Sequence, residues 1–179
     1  MDHRITAVAI AACFSLPVLA DGQPAVGEMA PEFRLQDQND GWHTLEDYRG
    51  QWVTLYFYPK ADTPGCTTEA CNFRDDIFQF QERGVVILGV SVDDVESQAD
   101  FSEKYHLNFP LLSDRDKQVT EAYGVLKDYV VFVAAHRETF IIDPEGRVAK
   151  HYADVDPDVH SAEVLADLDQ LIPPAPTED

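Results

Sequence analysis

Basic residues are scarce in this 179-residue chain: 13 Lys and Arg stand against 33 Asp and Glu, a formal charge of −20. A surface that acidic repels phosphate backbones and anionic lipid, which argues against a nucleic-acid or membrane partner. Cysteine is scarce too, with three in all. No disulfide framework is needed, because a chain of this length has room for one domain with a core of its own. There is no internal repeat, no glycine-rich phosphate loop and no glycosylation sequon. Beyond the first 20 residues no apolar run approaches membrane length.

Those first 20 residues read as a secretory signal. A short Met1-Asp2-His3-Arg4 start leads into an apolar run from Ile5 to Leu16, and Pro17-Val18-Leu19-Ala20 offers a cleavage site before Asp21. Ile10-Ala11-Ala12-Cys13 has the look of a lipoprotein box, but the apolar stretch continues past Cys13 to Leu19. Cleavage after Ala20 is therefore the expectation. It places the mature chain in the periplasm or outside the cell, removes Cys13, and leaves Cys66 and Cys71 with the formal charge still −20, since Arg4 and Asp2 leave together.

Residues 21–30, rich in Gly, Pro and Ala, read as a linker; 31–172 form the domain, and 173–179 a frayed tail. Asn39-Asp40-Gly41 between two short β-type runs marks an N-terminal hairpin. Strands are expected at 53–58, 85–92, 109–112, 139–142 and 148–152. The turn Asp143-Pro144-Glu145-Gly146 joins the last two. Helices are expected from Thr63 to about Arg83 with Gly84 as the stop, and at 95–105, 117–123 and 161–172. Strands alternating with helices, then a hairpin and a closing helix, make an α/β sandwich with a mixed sheet.

The chemistry concentrates between Tyr58 and Cys71, in Tyr-Pro-Lys-Ala-Asp-Thr-Pro-Gly-Cys-Thr-Thr-Glu-Ala-Cys. Pro59 ends the strand ladder. With Thr63 as N-cap and Pro64 at the first helical position, Cys66 falls at the third, where unpaired N–H groups and the helix dipole favour an anion. Such a setting lowers a thiol pKa. Ionisation alone contributes little, however. For a thiol, a fall from about 8.5 to about 6 raises the ionised fraction at pH 7 roughly thirtyfold, and the accompanying loss of nucleophilicity takes back roughly tenfold.

Pro59, Thr63 and Cys66 form P-x-x-x-T-x-x-C, with Cys71 five residues on, Phe73-Arg74-Asp75 after it, and Arg137-Glu138-Thr139-Phe140 downstream. From Ala30 to about Leu171 the chain resembles the peroxiredoxins, in particular the bacterioferritin comigratory protein or peroxiredoxin Q group. The resemblance implies a thioredoxin-like fold, a central mixed sheet flanked by helices. It also implies a thiol peroxidase without metal or organic cofactor, active as a monomer and reduced by a thioredoxin-like protein or a small thiol. Cys66 matches the peroxidatic cysteine, which attacks a hydroperoxide and becomes a sulfenic acid. Thr63, Arg137 and the first-turn N–H groups would polarise the peroxide bond. Glu69 matches the group's pattern as a supporting polar residue, with a plain helix-surface position as the alternative. Cys71 matches the resolving cysteine. On an intact helix, five residues separate two α-carbons by more than about 8 Å, beyond the roughly 7 Å a disulfide spans, so the helix must open for the two to join.

Other polar groups offer less. His43, His106, His136, His151 and His160 show no pairwise ligand spacing on one helix. Asp154-Val155-Asp156-Pro157-Asp158 begins like a calcium loop but has Val159 where glycine is required and Leu165 where the bidentate Glu belongs. Two further activities stand beside the peroxidase: a general thiol-disulfide oxidoreductase, which usually carries C-x-x-C, and a copper-holding module built on two thiols and a distant His.

Overall fold

The structure, a computed structural model, describes residues 22–172. The signal segment, Cys13 and the 173–179 tail lie outside them. The core is a seven-stranded sheet in the order β2-β1-β5-β4-β3-β8-β9. Its strands are β1 (Arg34–Asp37), β2 (Trp42–Thr44), β3 (Trp52–Phe57), β4 (Val85–Ser91), β5 (Leu111–Ser113), β8 (Glu138–Ile142) and β9 (Val148–Tyr152). β3, β4 and β5 run parallel, and the remaining pairings are antiparallel. This is the mixed thioredoxin-like sheet expected from the resemblance.

β3 is buried on both faces and its alternation separates the two cores. Val53, Leu55 and Phe57 point into one, with Leu88, Val90, Phe140, Val119 and Tyr123. Tyr56 and Tyr58 point into the other, with Phe73, Phe80, Phe101, Val164 and Leu168. Helices α1 (Pro64–Asp75), α2 (Ile77–Glu82), α3 (Val95–Tyr105) and α5 (His160–Leu171) supply the second core. The first is closed by α4 (Gln118–Ala122) and by the small hairpin β6 (Leu126–Asp128) and β7 (Val133–Ala135). Tyr56 can lie flat over its parallel partner strand because its register mate is Gly89, where a Cβ would stand 2.7 Å from the phenol ring.

Three differences from the sequence expectation have local causes. The helix expected to run from Thr63 to Arg83 is two helices, because Asp76 leaves the helical path. Its carboxylate accepts from Ser161 Oγ on α5 at 2.7 Å, and the bend lets Phe73 and Phe80 pack edge to face. The β6–β7 hairpin was not foreseen, since its turn carries Val130 at φ 73° where a glycine signal is expected. Within the stretch read as a linker, Gly27 N donates to Val148 O, Ala30 N donates to Gly146 O, and Ala30 is buried. The N-terminal hairpin matches: Asp40 sits at φ 63° and Asp37 Oδ1 accepts from the Asn39 and Gly41 N–H groups.

Candidate active site

Cys66 owes its place to the end of β3. Tyr58 N still donates to Val90 O at 3.0 Å, and Pro59 then ends the ladder. Thr63 has extended backbone (φ −95°, ψ 152°), its carbonyl accepts from Thr67 N at 2.8 Å, and Pro64 opens α1. Cys66 is thus at the third helical position, as expected. The Thr63 hydroxyl does not cap the helix; it turns back and donates to Lys60 O at 2.9 Å. The first-turn N–H groups therefore keep their capacity for an anion.

Cys66 is 1% exposed. Against its sulfur lies Arg137, from the segment leading into β8, with Nη2 donating to Sγ at 3.2 Å. A side chain at Gly65 would crowd that approach, since a Cβ there would stand 3.2 Å from Arg137 Nη2 and 3.7 Å from Pro157 Cγ. The second arm of the guanidinium, Nη1, donates to Glu69 Oε2. Burial works against the charge on Arg137, but Glu69 and Cys66 raise its pKa above the ordinary value. One planar cation thus bridges the thiol and the carboxylate, a geometry a lysine cannot reproduce.

Glu69 is not the surface residue its helical position allowed. It is 1% exposed, and burial pushes its pKa up to about 7 against the opposing pull of Arg137. Its Oε1 has no hydrogen-bond partner among the described residues. Beyond Arg137 stands the half-buried Tyr129, stacked on Phe132 with ring centroids 5.1 Å apart at the β6–β7 turn. Burial raises the Tyr129 pKa, with the charges of Arg137 and Cys66 both acting on it. Nothing local singles out Tyr129, because the unforeseen hairpin is what carries it.

Cys71 is half-buried, free, and on the same unbroken α1 as Cys66. The structure therefore brings Cys66, Glu69 and Arg137 together, turns the Thr63 hydroxyl to Lys60 O, leaves Pro59 at the end of the β3 ladder, and keeps Cys71 farther along α1. Among the described residues no three His, Cys, Asp or Glu side chains converge as a metal site would require.

Comparison with known proteins places this geometry. Residues 26–151 match the model of the AhpC/TSA family. The putative peroxiredoxin bcp of Coxiella burnetii is 46% identical over 147 residues, covering 80% of this chain and 97% of that protein. The chain belongs to the peroxiredoxins, in their Bcp group. Peroxidoxin BcpB of Mycobacterium tuberculosis is similar in structure, with a TM-score of 0.77 and 34% identity over 83% of this chain and 99% of the other. The bacterioferritin comigratory protein of Xanthomonas campestris gives a TM-score of 0.75 with 36% identity, covering 79% and 92%. This peroxiredoxin is a thiol-dependent peroxidase.

Proposed function

We propose that this peroxiredoxin is exported and reduces hydrogen peroxide and organic hydroperoxides through a sulfenic acid on Cys66 that Cys71 resolves as a disulfide. The contact that carries the reading is Arg137 Nη2 on Cys66 Sγ at 3.2 Å. A guanidinium there stabilises an anionic sulfur and can also donate to a peroxide oxygen, so charge is met by a fixed dipole as it develops. The Cys66 thiolate attacks one peroxide oxygen, the O–O bond breaks, and the departing alkoxide or hydroxide takes a proton to leave as alcohol or water. The Cys71 sulfur then attacks the sulfenic sulfur, the S–O bond breaks, and the hydroxyl leaves as water with the Cys71 proton. A thioredoxin-like protein or small thiol returns both cysteines to the reduced state.

Related chemistry is described for the Xanthomonas campestris protein, whose structure is reported with alkyl peroxide reduction activity. Export rests on the leader-like first 20 residues.

A peroxide-consumption assay with a dithiol reductant tests the chemistry. Cys66→Ser should abolish turnover, and Arg137→Lys should slow the peroxide step by roughly tenfold or more by losing the planar fork. Retention of more than a few per cent of turnover by Cys66→Ser would remove the proposed nucleophile.

A further inference from the structure

The segment that carries Pro59 is gripped at both ends by one hydrogen-bond network, buried at Tyr58, Gln98 and Ser91 and part-buried at Asp93. At its start, Tyr58 OH donates to Gln98 Oε1 on α3. Gln98 Nε2 donates to Ser91 Oγ at 2.9 Å and to Leu112 O at 3.2 Å. Ser91 Oγ donates to Asp93 Oδ2 at 2.7 Å. That same carboxylate oxygen accepts from Ala61 N at 2.8 Å, at the far end of the segment. Tyr58, Gln98 and Ser91 are all fully buried. Burial holds the Tyr58 hydroxyl protonated far above ordinary pH, so it remains the donor.

Every link runs in one direction, from hydroxyl to amide to hydroxyl to carboxylate, and no donor faces another. Asp93 itself is fixed on its other sides, by its own N–H to Ser91 Oγ at 3.2 Å and by Ser113 Oγ donating to its carbonyl at 2.7 Å. The one residue between the gripped Ala61 and Pro59 is Lys60, and its carbonyl is the acceptor that orients the Thr63 hydroxyl. Asp62, between Ala61 and Thr63, takes the left-handed conformation at φ 59° and is bound by Lys104 Nζ and Tyr105 OH. A non-glycine residue adopts that conformation only where its surroundings impose it.

We propose that Asp93 is a positioning residue for peroxide reduction, acting through Ala61 and Lys60 to aim the Thr63 hydroxyl at the peroxide held over Cys66. This rests on the reading of Thr63 as part of the peroxide site. A side chain 27 residues beyond the nucleophile in sequence thereby sets the geometry of the approach. The buried links from Tyr58 through Gln98 to Ser91 fix one arrangement, because any other leaves a buried polar group unpaired, and that arrangement hands Asp93 the Ser91 proton.

The test is a double-mutant cycle on the second-order rate of Cys66 oxidation by hydrogen peroxide, with Cys66 alkylation by iodoacetamide as a parallel readout. Asp93→Ala should lower the peroxide rate about tenfold, the scale of a misplacement under 1 Å, while iodoacetamide, which has no peroxide bond to hold, reacts within twofold of wild type. Asp93→Asn, which keeps an acceptor for Ala61 N, should recover most of the rate. In a Thr63→Val background the Asp93→Ala change should have no further effect on the peroxide rate.

If Thr63→Val alone leaves the peroxide rate unchanged, the reading of Thr63 is wrong and the proposal falls with it. If Thr63→Val is slow but Asp93→Ala is neutral, or multiplies the defect independently, Asp93 does not act through Thr63 and the proposal is overturned alone. Should Asp93→Ala fail to fold, the same cycle with Ser91→Ala, which removes one donor to the carboxylate, reads the same coupling.

Discussion

Two buried titratable residues feel the charge of Arg137, and they respond to pH with opposite signs. Burial raises Glu69 from 4.5 to about 7. Burial and the nearby Arg137 lower His160 from 6.5 to about 4; its Nε2 is held to Thr139 Oγ1 at 2.9 Å, and its Nδ1 has no hydrogen bond among the described residues and lies 3.9 Å from Glu163 Oε2. Between pH 4.5 and 7 the native protein holds a proton on Glu69 that the unfolded chain has lost, so the Glu69 contribution to stability falls as pH rises. Between pH 4 and 6.5 the unfolded chain holds a proton that native His160 refuses, so the His160 contribution is lost as pH falls.

Each shift corresponds to about 3 kcal/mol over its window, and the two oppose each other where the windows overlap. The expected outcome concerns differences. The denaturant stability of wild type minus that of Glu69→Gln should fall by about 3 kcal/mol from pH 4.5 to 7, and wild type minus His160→Asn should rise by a similar amount from pH 4 to 6.5. A pH-independent difference for Glu69→Gln would mean that its carboxyl ionises as it does in the unfolded chain.

At the scale of elements, α1 is both the platform for Cys66 and the obstacle to its resolution. Its C-terminal half is tied outward: Asn72 Nδ2 to Pro157 O at 3.1 Å, Arg74 Nη1 to Tyr105 O at 2.6 Å, and Asp76 to Ser161. Its N-terminal half is held by Arg137, through Cys66 and Glu69. Disulfide formation must melt the part with fewer external ties, since local opening draws on the least stable unit. Amide exchange between Cys66 and Cys71 should therefore accelerate on oxidation by tenfold or more, the equivalent of at least about 1.4 kcal/mol of lost protection, while the amides of β3 stay unchanged. Equal exchange in both redox states would mean that the helix does not open.

The onset of α1 was legible because Thr63-Pro64 is a start signal that needs no tertiary context. β9 followed from the turn Asp143-Pro144-Glu145-Gly146 before it, and both α3 and β9 have the bounds expected. The break at Asp76 was not legible, because nothing in the local pattern reports that a serine 85 residues away needs its carboxylate. Arg137 came from the resemblance alone, since a single arginine before a strand carries no local signal. Glu69 could be placed on the right face of α1, but whether that face meets solvent or a guanidinium is decided by β8.

For the whole molecule, the sheet order brings the end of β3, the start of β8 and the loop after β9 to one rim, which is why a thiol, a guanidinium and Pro157 meet there. The formal charge of −20 surrounds that rim with a field that repels anions and leaves neutral hydroperoxides unaffected. Whether the rim works outside the cytoplasm depends on the first 20 residues. Intact-mass measurement of protein from the native cell envelope should give a chain beginning at Asp21 with no acyl group. A chain beginning at a lipid-modified Cys13, or one retaining Met1, would refute the proposed processing.

The central claim is that Cys66 is oxidised first and Cys71 completes the cycle within the chain. It is tested most directly by mixing the reduced protein with one equivalent of hydroperoxide, quenching rapidly and measuring the intact mass. Wild type should lose two hydrogens as the Cys66–Cys71 disulfide forms, and Cys71→Ser should instead gain one oxygen at Cys66 and proceed to higher oxides with excess peroxide. Wild-type protein that gains oxygen without losing two hydrogens, or a Cys66→Ser variant that is oxidised just as fast, would contradict the account.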